Sequence, residues 1–189
     1  MFRLAKWLPC AAVLAGAVML GSASPTRASF ELTLTETGGP SASGTPTGPN
    51  SALFSGTVGD FAVVTSFGSS NSPGTSASAL ALQSSTLITN TSGTDQTLTI
   101  LVSGDGFTSP SSPPPLNLLD TISGSLTNGT VSGTAQGFAD MSNTLGGTSI
   151  PGAALTFSAS GTSQPFAGTR DGKVDNAFSP SGKYSLTLT

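Results

Sequence analysis

The sequence predicts an all-β chain: a single β-sandwich of many short antiparallel strands, with jelly-roll and Ig-like topologies both open. Three observations lead there. Apolar residues alternate with polar ones in short runs. Clusters of Gly, Pro, Ser and Asn punctuate these runs at regular spacing. Beyond the N-terminal apolar run there is no helical periodicity, and no fixed repeat that would argue for a propeller or a β-helix.

The elements follow in chain order. "SFELTLTE" places Phe30, Leu32 and Leu34 on one face and Glu31, Thr33 and Thr35 on the other. "TGGPSASGTPTGPN" reads as a loop by its Gly and Pro content. "ALFSGTVGDFAVVTSF" reads as two strands joined near Gly59-Asp60, with Phe61, Val63, Thr65 and Phe67 sharing a face. "SSNSPGTS" is a loop, "ALALQSSTLITN" a strand or two with a bend near Ser84-Ser85, and "TSGTD" a turn. "QTLTILVSGDGF" points Leu98, Ile100 and Val102 one way. "TSPSSPPP" is an irregular connection, because proline cannot donate to a central ladder. Asn128-Gly129, the preferred type I′ pair, predicts a hairpin between "LDTISGSLT" and "TVSGTAQGF". "GAALTFSAS" and the closing "KYSLTLT" complete the set. Tyr184–Thr189 is expected as an edge or penultimate strand, which left unpaired would add to a neighbour's sheet.

The N-terminus has the layout of a secretory signal peptide over residues 1–28, leaving 29–189 as the sandwich domain. Arg3 and Lys6 form a basic head, an apolar run extends from Leu8 to Leu20, and small residues lead to cleavage after Ala28 or Ala23. The run is short of the roughly 20 apolar residues that a membrane span needs. Cys10 sits within it, too early to read as a lipoprotein anchor.

Cleavage would remove Trp7, the sole tryptophan, and Cys10, the sole cysteine. The processed chain would rest on its core alone, without disulfides. It keeps three basic residues (Arg170, Lys173, Lys183) and nine acids, a net charge of −6. A basic face able to replace phosphate counterions is missing, so nucleic acid is not an expected partner.

The chain has no histidine, which removes the Ser-His-Asp arrangement and ordinary zinc sites. No Gly-x-Ser-x-Gly elbow or phosphate-binding Gly-Lys-Ser/Thr loop occurs. A serine/lysine dyad could use only Lys173 or Lys183, both among turn residues. Asp60, Asp105 and Asp171 stand beside glycine, where acids serve turn chemistry rather than paired-carboxylate glycoside hydrolysis. "RDGKVDN" is similar to the latter half of an EF-hand-like calcium loop, including the dockerin type. With Asp171 at loop position 5, Gly172 falls at the required glycine, but Ala167, Thr169 and Phe178 fall where oxygen ligands are needed. A polar turn is the simpler reading. Tyr184 is the one flat platform left for a sugar, and its place at a strand start favours core or edge packing. Asn90-Thr91-Ser92 and Asn128-Gly129-Thr130 match the glycosylation pattern, and both asparagines also suit turns. No catalytic, cofactor or metal-binding residue is assigned, and no cofactor is expected.

Several stretches together resemble bacterial PEP-CTERM proteins: the leader, then "FELTLTETGG", "SGTVGDFAV", "TLTILVSGDGFTSP", "FADMSNTLGG" and "FSPSGKYSLTLT". These are exosortase-processed exported proteins, generally linked to exopolysaccharide and biofilm producers. The resemblance lies in texture and order over most of Phe30 to Thr189. It implies a secreted, non-catalytic extracellular-matrix or cell-surface protein, with exopolysaccharide or other envelope components as partners and no membrane span after signal cleavage. A secreted carbohydrate-binding module is the alternative. The family's Val-Pro-Glu-Pro tail, apolar span and basic end are not found, so the expectation is either release without sorting or a chain shortened by a disrupted frame.

Overall fold

The computed structural model describes residues 28–111, 117–173, 180 and 182–189. The leader up to Arg27, the Pro113–Pro115 run and Val174–Asp175 of the calcium-like stretch lie outside the described residues. The fold is all-β, built from antiparallel sheets, and no helix occurs among the described residues.

The first half of the chain builds two facing sheets. β1 (Phe30–Glu36) alternates as its sequence demands, burying Leu32 and Leu34 and turning Thr33 and Thr35 outward. β2 (Ser41–Ser43) pairs with β1, and the chain crosses at Gly44 into the second sheet as β3 (Thr45–Gly48). The stretch read as a loop thus holds two short strands. Backbone pairing overrides its Gly/Pro content, and Pro46 is accommodated because β3 is an edge strand. β4 (Ser51–Val58) and β5 (Phe61–Ser70) form the expected hairpin about Gly59-Asp60, and β6 (Ala81–Asn90) completes the order β3-β4-β5-β6.

One face assignment changes inside this sheet. Phe61 and Val63 are buried, but Phe67 is 38 % exposed, while Ser66 is buried. The pairing registers of β5 with both neighbours shift between Val63 and Ser66. A bulge adds a residue and sends every later side chain to the opposite face. Strict alternation in the sequence cannot register that insertion.

The larger sheet has the order β10-β9-β12-β7-β1-β2, with β7 (Leu98–Phe107), β9 (Gly137–Asp140), β10 (Ile150–Pro151) and β12 (Tyr184–Leu188). Leu98, Ile100 and Val102 face the core as predicted. Leu32, Leu34 and Val102 meet Ala52, Val58 and Val63 of the other sheet. A second cluster joins Phe107, Ala139, Tyr184 and Leu186. β12 is not an edge strand. It pairs with β7 on one side and β9 on the other, and Tyr184 to Thr187 are all buried. The alternation of "YSLTLT" concealed this because its serine and threonine are buried too, under a covering loop.

The remaining strands form a separate two-stranded ribbon: β8 (Asn117–Ala135) and β11 (Leu155–Lys173) pair along their whole length in one register. This corrects the predicted hairpin. Asn128 and Gly129 pair across to Thr162 and Gly161, and the two predicted arms share no ladder. The chain does reverse near Asn128-Gly129, by folding the whole ribbon. Phe157 and Phe166 stack with centroids 5.1 Å apart. Nine residues of extended strand span about 30 Å, so the ribbon must double back between them. Gly129 (φ 102°), Gly161 (φ 104°) and Ser163 (φ 55°) supply the bend. The inward face accordingly switches from even positions (Ile122, Leu126) to odd ones (Val131, Gly133) across it. Phe157 and Phe166 lie over Gly133 and Gly124 of the opposite strand, where a Cβ would come within 2.6 and 2.4 Å of the rings.

The register makes a direct prediction. Leu34 is fully buried and Leu82 is 54 % exposed. Leu34→Ala should destabilise by about 2–5 kcal/mol, and Leu82→Ala by no more than about 0.5 kcal/mol, measured as urea unfolding midpoints at constant slope. Equal losses would refute the face assignment.

Candidate functional site

A concavity lies at one end of the sandwich, where connections from both sheets converge. Gly48–Asn50 come from the β3–β4 turn, Ser72-Pro73 from the β5–β6 loop, and Gly106 and Thr108 from the end of β7. Ala28 and Lys183 complete the wall of an open cleft of about 810 Å³.

Local hydrogen bonds hold these pieces. Asn50 Nδ2 donates to Ser72 O at 2.8 Å, and Ser72 Oγ donates to Asp105 O at 2.7 Å. The Thr108 and Ser109 amides both reach Pro73 O. The Asn50 amide oxygen is buried and has no hydrogen-bond partner among the described residues. Such a group costs about 1–3 kcal/mol unless a donor reaches it.

Gly106 is set by a bulge. Between Tyr184 and Leu186 the pairing to β7 skips a residue, and Gly106 takes φ 75°. Asp105, expected in a turn, lies within this strand, and its Oδ1 accepts from the Ser29 amide. The Gly106 amide donates to Asn143 Oδ1 at 2.7 Å, tying the cleft wall to the loop that covers β12.

Asp140 organises that loop. Its carboxylate is buried and accepts from the Ser142 amide (3.0 Å), the Thr144 amide (3.3 Å) and Ser149 Oγ (2.8 Å). Burial by itself would raise the Asp140 pKa, but the donors at Ser142, Ser149 and Thr144 outweigh it and hold the group below the ordinary carboxylate value. The loop then satisfies the polar face of β12 and β7. Ser185 Oγ donates to Thr144 O at 2.6 Å, and the Gly146 amide donates to Ser103 Oγ at 2.8 Å.

The residues weighed from sequence fall elsewhere. Tyr184 is core: it stacks on Phe107 at 5.6 Å, its hydroxyl donates to Ser109 O at 2.9 Å, and burial raises its pKa to about 12. It offers no platform to a sugar. Thr169 to Lys173 continue the β11 ladder, with Asp171 opposite Leu119, so this part is neither a turn nor a wrapped calcium loop. Lys183 is exposed at the cleft rim, whereas a lysine base needs burial. Asp60 lies in the β4–β5 turn. Asn90 caps its own turn, its Oδ1 accepting from the Ser92 amide at 2.9 Å, and Asn128 lies at the ribbon bend. Among the described residues no group of three or more His, Cys, Asp or Glu is placed to hold a metal ion. Asn50 and Asp140 were not singled out from sequence. The Asp-x-Ser-x-Thr spacing from Asp140 is a signal for a self-capped loop, but the burial of Asn50 has none.

No family model, curated protein or solved structure matches this chain.

Because the folded-state pKa of Asp140 is lowered, its contribution to stability is present above its unfolded value, about 3.9, and is lost as pH falls through the folded value. Unfolding midpoints should therefore fall below about pH 4, and Asp140→Asn should be less stable at neutral pH and less sensitive to acid. An unchanged acid profile in Asp140→Asn would show that other carboxylates govern it.

Proposed function

We propose that this is an exported, non-catalytic protein of the extracellular matrix or cell surface of an exopolysaccharide-producing bacterium. The observation that carries the reading is the doubled ribbon. From Thr121 to Ala135 and from Leu155 to Thr169 it has no charged residue, and its outward positions are chiefly serine and threonine. Such a surface presents hydroxyls and backbone groups, which suits contact with hydrated polysaccharide and envelope components. The signal-like leader and the resemblance to exosortase substrates supply the setting.

A carbohydrate-binding module is the second reading, favoured by the open cleft at the end of the sandwich.

The test is co-sedimentation of the processed protein with purified host exopolysaccharide, with a glycan array run with and without chelator. Retention in the polysaccharide pellet with no discrete array ligand supports the matrix reading. Chelator-sensitive binding to one glycan class favours the module. Absence from both medium and cell surface on fractionation would overturn both.

A further inference from the structure

We propose that removal of the leader after Ala28 turns the Ser29 amide into an ammonium that pairs with the Asp105 carboxylate, pinning the start of β1 to β7 and baring the cleft wall at Gly106. Phe30 pairs with Gly104 at the head of the β1–β7 ladder. One step further out, the Asp105 amide donates to Ser29 O at 3.1 Å, and Asp105 Oδ1 accepts from the Ser29 amide. The ladder thus sets the Ser29 nitrogen against a carboxylate. Ala28, on the other side of the peptide bond, packs on Gly106, where an added Cβ would lie 3.2 Å from the Ala28 methyl. Ala28 also lines the cleft.

The step is a hydrolysis by a signal peptidase. Water adds across the Ala28–Ser29 peptide bond, leaving a carboxylate on Ala28 and an amine on Ser29 that takes up the released proton at neutral pH. A hydrogen bond with one charged member becomes an ion pair. Cleavage after Ala23 would leave the Ser29 nitrogen an uncharged amide and Ala28 in the cleft wall, so the two small-residue sites are not equivalent. Two other charged groups stand near. Glu31 Oε1 accepts from Thr33 Oγ1 at 2.9 Å, and Lys183 lines the same cleft as Ala28. Lys183 favours the neutral amine and Asp105 the ammonium, and Asp105 prevails because it is in direct contact. Ser29 is exposed, so the pair adds little to stability, and its mark is the titration of the amine itself. The inference rests on export through the leader, as the proposed function does, and goes beyond it in assigning the processing site and the role of the new terminus.

The experiment is intact mass of the native protein from culture medium, followed by titration of its α-amine, read as the pH dependence of trace acylation. A chain beginning at Ser29 is expected, whose amine titrates above the ordinary value of about 7.7–8.0. At pH 7 it should acylate about threefold or more slowly than the amine of Asp105→Asn, which keeps the acceptor oxygen and loses the charge. A chain made to begin at Ala28 is the second comparison: its amine lies one residue beyond the carboxylate, and Asp105→Asn should change its titration much less. A secreted chain beginning at Ser24, or a Ser29 amine that titrates alike with and without the Asp105 charge, would overturn the proposal and leave export standing. A chain kept in the cell with its leader attached would overturn the export reading as well.

Discussion

Strand Tyr184–Leu188 is buried on both faces, and much of the architecture answers that constraint. An interior strand must satisfy its backbone on two sides, which β7 and β9 do. Its inward side chains, Tyr184 and Leu186, join Phe107 and Ala139 in an apolar cluster. Its outward side chains, Ser185 and Thr187, are polar and cannot be buried without partners. The covering loop supplies them: Thr144 O accepts from Ser185, and Gly146 anchors Ser103, which in turn bonds Thr187. Asp140 keeps the loop in place, and Asn143 extends the same network to Gly106 at the cleft. One buried strand, one capped loop and one cleft wall are thus mechanically linked.

The ribbon solves a different problem. Nineteen residues per strand with little apolar content cannot make a core by lying flat. Folding at Gly129 and Gly161 lets its two limbs cover each other, and glycines at 124 and 133 leave room for the stacked rings of Phe157 and Phe166. Leu155 reaches the Gly168 backbone by the same doubling. The result is a small second layer pair beside the sandwich, with its hydroxyl-rich face outward.

Much of the fold was legible because side-chain period follows directly from backbone geometry. Phe30, Leu32 and Leu34 alternate, and so does their burial. The failures share a cause. The bulge near Val64 moves Phe67 outward, and the pairing of "TVSGTA" with "LTFSAS" instead of with "LDTISGSLT" depends on a partner about twenty to thirty residues downstream. Asn128-Gly129 reports correctly that the chain bends, and says nothing about which strands bond. The cleft was less legible still, because Asn50, Ser72 and Gly106 become neighbours only when the two sheets close.

By itself the sequence determined the all-β class, most strand positions, the formal net charge of −3 and the lack of histidine, since these depend on composition and on a two-residue period. Tertiary structure alone decided that the last strand is interior, that serines 103 and 185 are buried and satisfied, and that two distant segments form one doubled ribbon. The reason is physical: alternation records which way a side chain points, while register, strand order and what covers a face are set by contacts between residues far apart in the chain.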